Sequence, residues 1–178
     1  MLKGWTAQEI VEEHRRLGGV FDLSVPEDVD YWQSRWTLYR IADGISANDP
    51  ACVELAIRYI ELRDMESCTG FLRSLFARRL KHAQLADEQK LRLHIHFCTL
   101  VVGREYSWEF RDYVKLWRLI MSSPGLQKLL IKLRDQAKGK KGKPEWFRGE
   151  LKMEAVLRRP QVLRDMRRQP QRRHLQNL

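Results

Sequence analysis

The chain has 178 residues, 43% of them hydrophobic and six of them Trp, which is enough apolar material for a packed core and unlike a disordered composition. Its three Cys, at positions 52, 68 and 98, are odd in number and widely spaced with no C-x-x-C, which argues against a disulfide framework and for reduced, partly buried thiols. The net charge of +10 is unevenly placed: residues 138–178 carry thirteen Lys or Arg against four acidic side chains, a surplus of nine, whereas residues 1–137 carry twenty against nineteen.

Taken along the chain, Thr6 and Glu9 form a capping-box pattern. It opens a helix expected over 7–17, with Ile10, His14 and Leu17 at helical spacing and Gly18-Gly19 as the stop. Residues 20–25 have a brief extended look. Ser24, Pro26 and Glu27 then start a second helix, in which Val29, Trp32, Trp36 and Tyr39 share one face and which Gly44 is expected to close. Asn48-Asp49-Pro50 is a strong start signal, and Val53, Ala56, Ile57 and Ile60 give the inward stripe of a third helix.

After a break at 67–70, Leu72, Leu75, Phe76, Leu80 and Ala83 make an amphipathic fourth helix. Asp87 begins a fifth, with Leu91, Ile95, Cys98 and Val102 on one line. A sixth runs from about Ser107 through Phe110, Val114, Trp117 and Met121 to Ser122-Ser123-Pro124-Gly125. The seventh spans 126–137 on Leu126, Leu129, Leu130 and Leu133. No stretch sustains period-two alternation and the connections are short. The expected fold is therefore all-α: an antiparallel helical bundle or short helical array of about seven helices over residues 1–137.

The breaker-rich run Gly139-Lys140-Lys141-Gly142-Lys143-Pro144 leads into a basic C-terminal extension, 138–178, helical over about 145–159 and expected to be disordered towards its end. Three readings of its charge are open. It can neutralise the phosphates of RNA or DNA, with Lys140, Lys141, Lys143, Arg148, Arg158, Arg159, Arg164, Arg167, Arg168, Arg172 and Arg173 as the cations and Trp146 as a stacking platform; the excess of Arg over Lys suits phosphate and stacked contacts. It can lie on an anionic membrane surface, which asks for a cleaner apolar face. Or it can be a solvated extension that docks on an acidic protein or does nothing specific. In the rival reading the extension instead folds as a helix on the body or on another copy, through Leu151, Met153, Val156, Leu157, Val162, Leu163 and Met166, and its charges only keep the exposed side wet.

Other constellations have bland counterparts that outweigh them. Thr69, Gly70, Arg73, Arg78, Arg79, Lys81 and His82 resemble the basic face of a recognition helix, but a solvated face balanced by Glu61, Asp64 and Glu66 is the simpler reading. His94 and Cys98 stand four apart as metal ligands can, yet His96 points elsewhere and Cys98 lies on the apolar stripe; no metal or cofactor is expected. No H-E-x-x-H or phosphate loop is present, and Glu12, Glu13 and His14 diverge around a helix, whereas acid–base work needs groups that converge in a cleft. Trp32, Trp36, Tyr39, Trp108 and Trp117 at helical spacing read as core, and Asp28, Asp30, Tyr31 and Trp32 as an ordinary helix start.

No apolar run reaches the ~18 residues needed to span a bilayer, and Met1-Leu2-Lys3-Gly4-Trp5-Thr6 lacks the apolar stretch of an export signal. The expectation is a cytoplasmic, bacterial-type, non-enzymatic helical binding protein that contacts nucleic acid through its extension. A protein-interaction or assembly subunit is the alternative, and an enzyme with an unrecognised site the third class.

Overall fold

The computed structural model describes residues 5–24, 33–62, 69–103, 109–137, 146 and 148–152. Among them the protein is all-α, with helices α1 (Ala7–Arg16), α2 (Gln33–Ser46), α3 (Pro50–Glu61), α4 (Thr69–Leu80), α5 (Asp87–Gly103), α6 (Phe110–Met121) and α7 (Pro124–Ala137). Trp146 and residues 148–152 are also helical. The chain forms two compact units, residues 1–90 and 91–178.

In the first unit the local signals act as the sequence implies. Thr6 and Glu9 make the reciprocal capping box of α1, so two otherwise orphaned backbone donors are satisfied at its N-terminus. Asn48 closes α2 in the left-handed region (φ 61°), with the Asp49 N–H returning to the Gly44 carbonyl at 3.0 Å. Asp49 then caps α3, whose first residue is Pro50. The three residues thus stop one helix and start the next. Helix α2 packs on α1, α3 and α4, and α3 also packs on α1 and α4. Helix α3 is the centre of this unit: besides the expected stripe, Ala51, Cys52, Leu55 and Tyr59 are buried.

Gly44 does not close α2, which continues to Ser46. It is a buried interior position, where an added Cβ would lie 2.3 Å from the Cys52 sulfur; the missing side chain is what lets α2 and α3 approach. Residues 20–24 contain no strand. The proposed start of the second helix, with Val29 and Trp32, lies outside the described residues. Trp36 is not core: it is 50% exposed, and Tyr39 is half-buried.

In the second unit α6 packs on α7. Phe110, Val114 and Trp117 are buried as the spacing predicts, and Tyr113 stacks on Phe97 of α5 with ring centroids 4.9 Å apart. The inward face of α5 is rotated from the expected line. Leu93, His94, Phe97, Cys98, Leu100 and Val101 are buried, while Leu91, Ile95 and Val102 are only partly covered. On α7, Leu126 and Leu130 are buried and Leu129 and Leu133 half-buried. No helix among the described residues is long and apolar enough to cross a membrane.

Candidate functional site

Two buried polar clusters stand out, one in each unit. In the second unit, His94 of α5 is fully buried and accepts the indole N–H of Trp117 through Nδ1 at 3.1 Å. Indole is a donor only, so Nδ1 must keep its lone pair and the ring proton sits on Nε2, which faces the Cys98 sulfur at 3.7 Å. Burial, with Arg134 adding repulsion, lowers the His94 pKa from 6.5 to about 4, and the ring is neutral at pH 7. Burial, with the Glu150 carboxylate, pushes the Cys98 thiol up to about 12.

Against this face of α5 sit Trp146 and residues 148–152. The Trp146 ring meets His94 edge-on with centroids 6.1 Å apart. Gly149 is buried, and a Cβ there would lie 2.3 Å from the Cys98 carbonyl oxygen, so the contact is backbone against backbone. Glu150, also buried, accepts from Arg134 Nη2 at 2.6 Å. This buried acid is therefore matched by a cation from α7.

In the first unit, Asp49 is buried and ties together three pieces of chain. Its Oδ1 accepts the Cys52 N–H at 2.9 Å and lies 3.3 Å from His14 Nε2; its Oδ2 accepts the N–H groups of Val20 and Phe21, both at 2.8 Å. Burial pushes the carboxyl pKa up, but the Cys52, Phe21 and Val20 N–H donors and His14 outweigh it and hold the group at about 2. His14, Asp49 and Cys52 form the one cluster of three metal-ligand types among the described residues. The chemistry of the donors does not fit a cation. Both carboxylate oxygens are already engaged by hydrogen-bond partners, and burial with Asp49 raises the Cys52 thiol far above neutrality. His94 and Cys98 share a face as expected, but Trp117 occupies one ring nitrogen, and His96 is half-buried with its ring edge-on to Phe97.

An open groove of about 370 Å³ lies between α1, residues 23–24 and α2, lined by Gln8, Glu12, Arg15, Ser24, Gln33 and Thr37 among others. Neither His14 nor Asp49 reaches it, and its charged groups, Glu12 and Arg15, are exposed. Glu13 belongs elsewhere: hydrogen bonding to Arg16 outweighs the opposing effect of burial and, helped by Arg58, holds its carboxyl at about 2.

Of the residues assigned to phosphate contact from sequence, Trp146 and Arg148 are described. Trp146 is half-buried on His94, and Arg148 is exposed beside exposed Lys152. Lys140, Lys141, Lys143, Arg158, Arg159, Arg164, Arg167, Arg168, Arg172 and Arg173 lie outside the described residues. Arg78 and Arg79 of α4 and His82 just beyond it are exposed, but Arg73 is buried and donates to the Leu62 carbonyl at 2.6 Å. Sequence reasoning missed His94 as a buried group because its partner, Trp117, is 23 residues away. Comparison with protein-family models, with curated proteins and with solved structures gave no match to this chain.

Proposed function

We propose that the protein is a helical interaction or assembly subunit whose C-terminal extension docks as a helix rather than hanging free, and that it is not an enzyme. The seating of Trp146 on His94 and of Gly149 on the Cys98 carbonyl carries this reading. The same short helix turns Leu151 outward, 54% exposed, at the head of a sequence in which Met153, Val156, Leu157, Val162, Leu163 and Met166 supply further apolar positions. Apolar docking of this kind hardly responds to salt. Removing the Trp146 ring is expected to lower the urea midpoint by a similar amount at low and high ionic strength, and Leu151→Glu to reduce any self-association seen by sedimentation. A Trp146→Ala chain as stable as the parent at both salt concentrations would end this reading.

A second reading, nucleic-acid binding by the extension, is favoured by a specific feature. Arg148 and Lys152 are exposed and form no ion pair among the described residues, at the root of a segment with a surplus of nine positive charges. Neutralising Arg158, Arg159, Arg164, Arg167, Arg168, Arg172 and Arg173 to Gln in the full chain tests it. Binding to single-stranded RNA or duplex DNA should weaken, and the log–log salt slope should flatten by about 0.9 per lost duplex phosphate contact.

A further inference from the structure

We propose that the exposed face shared by α2 and α4 in the first unit is a docking surface for an acidic amphipathic helix of a partner protein. This inference rests on the reading of the chain as an interaction subunit and names the chemistry of what it binds.

Trp36 is 50% exposed and Phe71 is 42% exposed, and Tyr39 bridges them, with ring centroids 5.8 Å from Trp36 and 6.2 Å from Phe71. Three aromatic rings therefore make one continuous strip across two packed helices. Half-buried Leu75 extends it by one turn of α4, and exposed Arg78 by the next. Aromatic side chains carry 150–250 Å² each, so leaving such a strip in water is costly, and contiguous exposed apolar surface of this kind marks a contact site.

The geometry selects the occupant. The rings are tilted by 57° and 65° to their neighbours and so present ridges rather than parallel faces on which successive bases would stack. Their spacing is close to the ~5.4 Å rise of one helical turn, which suits anchors at i, i+4 and i+7 of a helix laid along the strip. The charge is complementary to acid. The exposed cations of α4 are Arg78 and Arg79; the helix contains no Asp or Glu, and neither Arg forms an ion pair among the described residues. On α2 the neighbouring acid, Asp43, is 3.7 Å from Arg40. A second copy of the chain placed symmetrically on this face would bring these Arg clusters together, which disfavours self-association here.

The test pans a display library of helix-biased 18-residue peptides on the full chain. Enriched sequences are expected to show apolar residues at helical spacing and an excess of Asp and Glu. Trp36→Ala and Phe71→Ala should each weaken their binding at least tenfold, and the double variant Arg78→Glu/Arg79→Glu should abolish the preference for acidic over basic peptides. Trp36 and Phe71 are exposed, so unchanged helical circular dichroism is expected; the charge variant keeps the test decisive if an aromatic variant misfolds. The proposal is overturned if no peptide is enriched, if the enriched ones carry no acidic excess, or if binding survives both aromatic substitutions. It is also overturned if a single-stranded RNA oligonucleotide, and not the peptides, is the ligand lost in Trp36→Ala. All variants leave residues 138–178 intact, so failure of extension docking and failure of this surface register in separate experiments.

Discussion

Trp117 donates its indole hydrogen to Nδ1 of His94 across 23 residues of sequence, at 3.1 Å, and thereby fixes the tautomer of an imidazole that stays neutral at pH 7. A proton on Nδ1 would face a donor with no acceptor capacity, inside a region from which water is excluded. The nearby thiol and the carboxylate of Glu150 are similarly spent, on Nε2–H and on Arg134. The cluster looks catalytic in composition and is structural in wiring.

One consequence is acid sensitivity of the second unit. The His94 pKa is lower in the folded chain, about 4 against 6.5, so between those values the unfolded chain binds more protons and folding stability falls as pH falls. In the first unit the Asp49 and Glu13 carboxyls are held at about 2, and their contribution is present above about 4.5 and lost as pH falls towards 2. Urea midpoints measured from pH 8 to pH 3 should therefore decline already between 6.5 and 4. In a His94→Gln chain, whose amide oxygen can still accept from Trp117, that part of the decline should disappear while the drop below 4.5 remains.

Asp49 offers a second prediction. An ordinary N-cap replaced by Ala costs roughly 1 kcal/mol. Here the carboxylate also accepts from the part-buried N–H groups of Val20 and Phe21 and faces buried His14, so Ala leaves one buried and two part-buried polar groups without their partner. With about 1–3 kcal/mol for stranding buried His14 added to the cap loss, Asp49→Ala should cost roughly 2–4 kcal/mol. Asp49→Asn, with one acceptor oxygen instead of two, should fall between it and the parent chain. Equal stability of Asp49→Ala and a simple cap loss, measured by chemical denaturation, would show that the loop contacts contribute nothing.

The helices themselves were legible because their ends are written locally: Thr6 with Glu9, Asn48-Asp49-Pro50 and Ser123-Pro124 act through neighbours within four residues. Facing was less legible. The apolar line through Leu91, Ile95, Cys98 and Val102 ignores His94, a polar residue made buriable by Trp117, and so the inward side of α5 was placed off its true direction. Trp36 failed in the opposite sense, since helical spacing says that a Trp shares a face with Tyr39 but not whether that face is covered. The contact of Gly149 with Cys98 joins positions 51 apart and leaves no periodic trace, because what it requires is the absence of a side chain.

That absence supplies a prediction whose sign distinguishes a docked segment from a free one. In a free helical turn, replacing Gly149 by Ala would stabilise by up to about 1 kcal/mol through helix propensity. Seated as it is, the new methyl would lie 2.3 Å from the Cys98 carbonyl oxygen and 2.7 Å from its carbon, and a backbone carbonyl has little room to give. Overpacking of this kind costs about 1–3 kcal/mol, so Gly149→Ala should destabilise the chain on urea denaturation. Lifting residues 146–152 from α5 should also uncover Cys98, now buried, and raise its reactivity towards a thiol reagent, while buried Cys52 in the first unit stays protected. A stabilised Gly149→Ala chain with an unreactive Cys98 would mean that the segment does not rest on α5 in solution.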